Sequence, residues 1–275
     1  MRRTRRPIAR FAGYLPLLIC ALAALLPLYW LLTGSVRPAA TLLEAPPLVP
    51  TKFSLEHFRR LFSLSPAGRW LLNSIVLAVV TTLSNVILCS MAGYGFARLR
   101  FMGRRTLFWI CLCTMMVPVQ VTVIPLFLMV RTAGLMNTYV GLALPTLATA
   151  FGIFLMKQFI QTIPGSLIEA ARIDGCHELM IFWRIVFPIS IPAVTTLGIL
   201  TFTSSWNGFL WPLLVTIDND MWTMPVGLGS IEDNFFTDYG LTMAGAAVAA
   251  IPMIMLFLGL QRFFLKGLTI GAVKG

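Results

Sequence analysis

Long apolar runs alternate with short polar segments along the chain. Six of the runs are long enough to cross about 30 Å of hydrocarbon as helices. They cover residues 11–33, 71–97, 106–130, 138–157, 189–215 and 243–265. The pattern predicts an all-α, polytopic membrane protein with six transmembrane helices, and an even number of spans places both termini on the same side.

Prolines interrupt this apolar pattern. Six of them fall within or at the edges of the expected spans: Pro118, Pro125, Pro145, Pro192, Pro212 and Pro252. Proline removes a backbone donor and clashes with the preceding turn, so several of the spans should be bent or interrupted.

Basic residues fix the expected orientation. With the N-terminus in the cytoplasm, 15 of the 21 Lys and Arg residues lie on the cytoplasmic side, as the positive-inside rule requires. The chain then reads as a cytoplasmic N-terminus (1–10), a six-span domain (11–265) and a cytoplasmic tail (266–275). The domain includes a cytoplasmic loop at 158–188 and an acidic external loop at 216–242. The basic start resembles a signal peptide, but residues 11–33 are long enough to remain as an uncleaved first span.

Composition excludes several other classes of protein. Apolar residues make up 58% of the chain and charged residues 11%, and the net charge of +11 is carried in short clusters beside apolar runs, which argues against a nucleic-acid partner. The five cysteines are expected to be small core residues, with neither a disulfide framework nor a metal site.

The expected spans contain few groups that could do chemistry. None of the ten Asp and Glu residues lies in a span, and both histidines lie in loops. This absence argues against a secondary transporter driven by protons or sodium, and against an intramembrane enzyme. The chain has no G-x-x-x-x-G-K-[ST] phosphate loop, so any ATP would have to be bound by another subunit.

The cytoplasmic loop contains the charged segment EAARIDG, residues 169–175. We expect Ser166 to cap a short helix with Glu169 as its capping-box partner, and Gly175 to close it in the left-handed conformation. A second helix is expected over residues 176–186, stopping before a proline. One interpretation is a well-capped connector. The other is a docking element for a partner.

The stretch EAARIDGCHELMIFWRIVFPISIP resembles the EAA loop of the permease subunits of binding-protein-dependent ABC importers. Further segments are similar to the carbohydrate branch of that family, which carries maltose-like sugars and glycerol phosphates. They are NSIVLA, MAGYGFARLRFMGR, VTVIPLF, GLMNTYVGLALP, SSWNGFLWPL and the closing GLTIGAVKG, within a resemblance that covers roughly residues 11–275.

The resemblance implies a type I ABC importer permease fold and a complex in a bacterial or archaeal cytoplasmic membrane. The partners would be a second homologous permease subunit, two copies of an ABC ATPase and an extracytoplasmic solute-binding protein. ATP and Mg would be bound by the ATPases, with no cofactor on this chain. The residues implied to couple to the ATPase are Glu169, Ala170, Ala171, Asp174 and Gly175, and the tail residues implied to contact it are Gly271, Ala272, Val273, Lys274 and Gly275.

The substrate pathway is indicated by Trp206 and Asn207, which match a W-N pair of the family. An aromatic ring and an amide can stack on and hydrogen-bond to a sugar, but both can equally serve helix packing. The function implied is therefore a non-catalytic permease subunit of a sugar importer, with the individual sugar left open. The alternative is a secondary transporter or channel that acts without an ATPase.

Overall fold

The computed structural model describes the backbone of residues 7–42, 52–234 and 238–272, and the side chains of most of these. All of the regular structure in these ranges is helical, and the prediction of an all-α fold is confirmed. The α-helices are α1 (Pro7–Ser35), α2 (Glu56–Leu64), α3 (Ala67–Arg98), α4 (Arg104–Thr114), α5 (Val119–Thr132), α6 (Tyr139–Ala143), α7 (Ala150–Gln161), α8 (Gly165–Ile173), α9 (Glu178–Ile181), α10 (Phe187–Ile189), α11 (Ile191–Trp206), α12 (Leu210–Val215), α13 (Met224–Asn234) and α14 (Tyr239–Ala272).

Three helices in the described part of the chain are long and apolar enough to cross a membrane unbroken: Tyr14–Ser35, Ala67–Arg98 and Tyr239–Gln261. Three further candidate spans are helix pairs bent at a short break. The bends are 100° between α4 and α5, 45° between α6 and α7, and 80° between α10 and α11. The total is six when each bent pair counts as one span.

The three bends lie beside prolines that the sequence singled out. Pro118 precedes the first residue of α5, Pro145 lies in a 3-10 turn after α6, and Pro192 lies in the first turn of α11. The other three act differently: Pro125 and Pro252 lie inside continuous helices, and Pro212 lies in the short α12. The run at 189–215, expected as one helix, therefore ends at Trp206 and resumes in α12.

The chain divides into two compact units. One contains residues 1–67 with 228–251. Within it α2 packs against the start of α14, since His57 is fully buried and a Cβ added at Gly240 would overlap its ring. An ion pair of 2.7 Å between Arg60 and Asp238 adds to this contact. The helix α2 thus covers the start of α14.

The second unit, residues 68–227 with 252–275, contains the EAARIDG segment. Its core brings α3, α7, α8 and α9 together with the start of α11, around buried residues such as Met156, Ile168 and Phe182. The helices α3 and α7 approach closely at Gly152, where a Cβ would lie 2.8 Å from Asn85 Oδ1. This packed core supports the candidate site.

Candidate functional site: the EAARIDG helix and its supports

The helix α8 begins two residues earlier than its capping signal indicated. Its N-cap position is Pro164, and no side chain caps it. Ser166 already lies inside the helix. Its backbone is helical there, so its hydroxyl is not placed to accept a capping hydrogen bond from the Glu169 amide. The prediction of a Ser166 cap with Glu169 as capping-box partner is therefore wrong, and the helix begins directly after Pro164.

The end of α8 agrees with the sequence pattern. Gly175 has φ +80°, which confirms the predicted left-handed conformation. The Gly175 amide donates to the Arg172 carbonyl and the Cys176 amide donates to the Ala171 carbonyl, each at 3.0 Å. These two bonds form a Schellman motif, which satisfies carbonyls that the helix end would leave unpaired.

The segment after the turn differs from the expected second helix. His177 caps α9 by accepting from the Met180 amide at 3.3 Å. The helix continues as a π-helical stretch over Phe182–Val186 and runs past Pro188 to Ile189 before the 80° bend. The prediction that it stops before Pro188 is wrong, because a proline near the start of a helical turn needs no amide donor there.

The large apolar side chains of this second helix divide between the core and the surface. Phe182 and Val186 are buried in the core, whereas Leu179 and Trp183 are 55% and 45% exposed. The π-helical stretch changes the angular spacing between residues, so a 3.6-residue period does not describe which side chains share a side. The two exposed apolar side chains lie on the outer surface of the segment.

A three-residue network ties α8 to α3. Arg172 on α8 donates from Nε to Glu178 Oε1 at 2.8 Å, and the Tyr94 hydroxyl on α3 donates to the other carboxylate oxygen. Glu178 lies before the bend, in the expected cytoplasmic loop. The hydrogen bond from Arg172 holds the pKa of its carboxyl below the usual range. The carboxylate is thus charged at neutral pH and joins two helices across the Gly175 turn.

A second set of hydrogen bonds holds the connector that precedes the N-terminus of α8. The Arg98 guanidinium, at the last residue of α3, donates to the carbonyls of Ile160 at 3.0 Å and Gln161 at 3.1 Å and also to that of Ile163. These carbonyls belong to the end of α7 and the connector to α8, where backbone acceptors lack helical partners. Arg98, Tyr94 and Glu178 were not singled out in the sequence. The opposite charges of Arg172 and Glu178 on either side of Gly175 were the one available signal.

Four of the five implied coupling residues lie on the surface. Glu169, Ala170, Asp174 and Gly175 are exposed, and within the described side chains neither acid forms an ion pair. Ala171 is different, since it is only 6% exposed and packs in the core of its own chain. Ala171 was implied to couple to the ATPase together with the other four, but it does not share their surface, and its small side chain lets α8 lie close to the core.

A cleft of about 730 Å³ runs beside the exposed face of α8. Its walls carry four arginines, including Arg172, and two glutamates, Glu169 and Glu178. The remaining arginines come from the end of α3 and the start of α4, namely Arg98, Arg100 and Arg104. Glu169 thus lies at the edge of a recess with charges of both signs.

The two expected pathway residues do not share a surface. Asn207 is exposed and lines a cavity of about 650 Å³ between α11 and α14, with Thr203, Ser204 and Gln261 as its other polar residues. Trp206 is only 3% exposed and stacks on Phe202 with ring centroids 5.9 Å apart. Trp206 is therefore a buried packing residue here, and its expected stacking on a sugar does not fit this arrangement.

The C-terminal tail is described only in part. Gly271 and Ala272 form the end of α14, while Val273, Lys274 and Gly275 lie outside the described residues. Within the described part of the chain, no group of three or more His, Cys, Asp or Glu side chains is arranged to hold a metal ion.

Comparison with known proteins agrees with this architecture. The family described as "Binding-protein-dependent transport system inner membrane component" matches residues 86–270, which include α8 and both of its supports. A solved structure titled "Crystal structure of a bacterial ABC transporter involved in the import of the acidic polysaccharide alginate" contains a similar chain. Its TM-score is 0.83 at 25% identity, covering 94% of this chain and 96% of that one.

Curated relatives extend over nearly the whole chain. The arabinooligosaccharides transport system permease protein AraQ of Bacillus subtilis is 36% identical over 98% of this chain and 97% of its own length. The sn-glycerol-3-phosphate transport system permease protein UgpE of Rhizobium meliloti is 33% identical over 96% and 98%. The lactose transport system permease protein LacG of Rhizobium radiobacter is 30% identical over the full length of both.

Proposed function

The chain belongs to the family of binding-protein-dependent transport system inner membrane components, and on that premise we propose that it carries a carbohydrate through an ABC importer and couples to the ATPase through α8. The single observation that carries the coupling role is the Gly175 turn, which presents charged and small residues at the surface while hydrogen bonds hold it from behind.

The docking surface proposed for the ATPase consists of Glu169, Ala170, Asp174 and Gly175. Small residues allow the backbone of a partner to approach, and an unpaired carboxylate at the surface attracts a basic group. Glu169 and Asp174 are free of ion pairs within the described part of the chain, so their charge remains available for such a partner.

Motion of the docked helix would reach the membrane through Glu178. Its carboxylate bonds to Arg172 on α8 and to Tyr94, which is 4% exposed near the end of the long helix α3. A movement of α8 therefore pulls directly on a membrane-spanning helix. The core shared by α8, α3 and α7 adds apolar contacts to the same link.

The proposed substrate is a carbohydrate, and the cavity beside Asn207 is its proposed path. The relatives are named for arabinooligosaccharides, sn-glycerol 3-phosphate and lactose, all of which carry at least two hydroxyl groups. An amide can donate to one hydroxyl and accept from another, which suits such molecules. Since the relatives differ in cargo, the proposal names the class and not the individual sugar.

The complete importer proposed has this chain beside a second, homologous permease, on two ATPases, with an extracytoplasmic binding protein. The N- and C-termini are placed in the cytoplasm by the distribution of Lys and Arg. The same orientation puts α8 on the cytoplasmic side with the ATPases, and the acidic segment 216–242 on the side of the binding protein.

Uptake into proteoliposomes tests this function. The full assembly and the chain alone are reconstituted in parallel, and entry of labelled oligosaccharides is measured with and without the binding protein and with ATP supplied to the ATPase side. We expect uptake by the full assembly only when both are present. ATP-independent flux through the chain alone, at a rate matching the full assembly, would contradict the proposal and favour a secondary transporter or channel.

A further inference from the structure

A second cleft lies between α4 and α7, outside the surface proposed for docking. Its volume is about 500 Å³. One part of its wall is basic and the other is aromatic and apolar. The lining residues that matter here are Arg104, Arg105, Lys157, Phe108 and Trp109.

Among the described side chains, no acidic group pairs with the positive charges of this cleft. No acidic residue lines the cleft, and within the described side chains neither Arg105 nor Lys157 forms an ion pair. The Lys157 ammonium lies over the Phe108 ring, 3.8 Å from its centroid. Arg104 donates to the Leu99 carbonyl at 2.7 Å, which leaves its charge uncompensated. Three cations from two helices therefore face one recess.

The cleft lies where two candidate spans begin and end. Helix α4 starts at Arg104, and α7 ends at Gln161, one turn after Lys157. On the outer face of α4, Trp109 and Ile110 are each 57% exposed. Tryptophan next to a basic cluster at the end of an apolar helix is typical of the boundary between hydrocarbon and headgroups.

We propose that this cleft binds the headgroup of an anionic phospholipid. The phosphodiester would lie among Arg104, Arg105 and Lys157, and an acyl chain would follow Trp109 and the apolar residues of α4 into the bilayer. Basic pockets between membrane helices are suited to anionic headgroups. A small soluble anion would use only the basic part of the wall, whereas a phospholipid matches both the basic and the apolar part.

The test uses quenching of Trp109 by brominated lipids. The full-length chain and its Trp109→Phe variant are reconstituted into phosphatidylcholine vesicles that contain brominated phosphatidylglycerol or, at equal content, brominated phosphatidylcholine. The difference between the two proteins isolates the signal of Trp109. We expect brominated phosphatidylglycerol to quench this signal at several-fold lower lipid content than brominated phosphatidylcholine.

Charge variants identify the residues responsible. Lys157→Gln and Arg105→Gln should each weaken the preference for phosphatidylglycerol about fivefold. This factor corresponds to the attraction of one cation to an anionic membrane surface. Arg131→Gln is the matched control, because Arg131 is an exposed arginine on α5 that does not line the cleft. Equal quenching of Trp109 by both lipids would overturn the proposal. It would also be overturned if inorganic phosphate abolished the preference, since the site would then bind a soluble anion. Neither readout depends on transport.

Discussion

Replacement of Gly175 by Asp separates a docking role of the EAARIDG turn from a purely structural one. Gly175 has φ +80°, and a Cβ added there meets no other atom within 4 Å. The cost within the chain is therefore backbone strain alone, about 1 kcal/mol, because Asp tolerates the left-handed region better than most residues. The Schellman hydrogen bonds use only backbone atoms and remain possible.

A loss of about 1 kcal/mol is small beside the 5–15 kcal/mol that stabilises a typical domain. Gly175→Asp should therefore reach the membrane at close to the normal level. At the surface, however, it introduces a negative charge and a larger side chain where we propose that the ATPase packs. We expect substrate-stimulated ATP hydrolysis and uptake by the assembled importer in proteoliposomes to fall at least tenfold, the effect of about 1.4 kcal/mol at the interface.

Gly134→Asp is the matched control for this experiment. Gly134 also has a positive φ, +68°, and equally open surroundings, but it follows α5 and lies outside EAARIDG. It should reproduce the strain and leave coupling intact. Normal coupling in Gly175→Asp would refute the docking argument, and an equal loss in Gly134→Asp would show that strain alone accounts for the effect.

Three further outcomes are expected from the same structure. Ala170→Leu should lower coupling at a normal membrane level because Ala170 is exposed, whereas Ala171→Leu should lower the level itself by overpacking the core, which costs about 1–3 kcal/mol; immunoblots and ATPase assays on both variants distinguish the two. Asn207→Ala should raise the KM for the transported sugar. Trp206→Ala should instead lower the free energy of unfolding by about 3–5 kcal/mol. A change in sugar preference in Trp206→Ala alone would contradict these separate roles. The lowered pKa of Glu178 stabilises the folded chain above the unfolded carboxyl pKa of about 4.3 and loses this effect as the pH falls through the folded value. Thermal melts of Glu178→Gln should therefore differ from wild type at pH 7 and converge with it in acid, and a constant difference across pH would argue against the ion pair.

The sequence was sufficient where a single residue type decides the local structure. Gly175 was predicted to be left-handed because glycine has no steric penalty there, and its φ of +80° confirms this. The 100° break before α5 follows in the same way from Pro118, although its angle is set by packing and could not be predicted. The number of candidate spans follows from the lengths of the apolar runs.

The sequence was insufficient where several contacts compete. An N-cap at Ser166 and an N-cap at Pro164 satisfy nearly the same sequence pattern, and local sequence alone does not choose between them. Ala170 and Ala171 are identical in type and adjacent, yet one is exposed and one is buried. The π-helical stretch over Phe182–Val186 shifts the register, so the face of the second helix could not be read from a regular period.

The Arg98 guanidinium makes the connection between α7 and α8 mechanically stiff. Its Nη2 nitrogen shares two N–H donors among three carbonyls on both sides of residue 162, and one hydrogen bond from a charged donor is worth about 1.5–3 kcal/mol. Bending at the connector would have to break these bonds first. The compliant point in this part of the chain is then the 80° bend after Ile189, where the helix is already interrupted. Under the proposed coupling, a force on the Gly175 turn would therefore reach α3 and α7 without bending at the connector, and bending would concentrate at the base of α11.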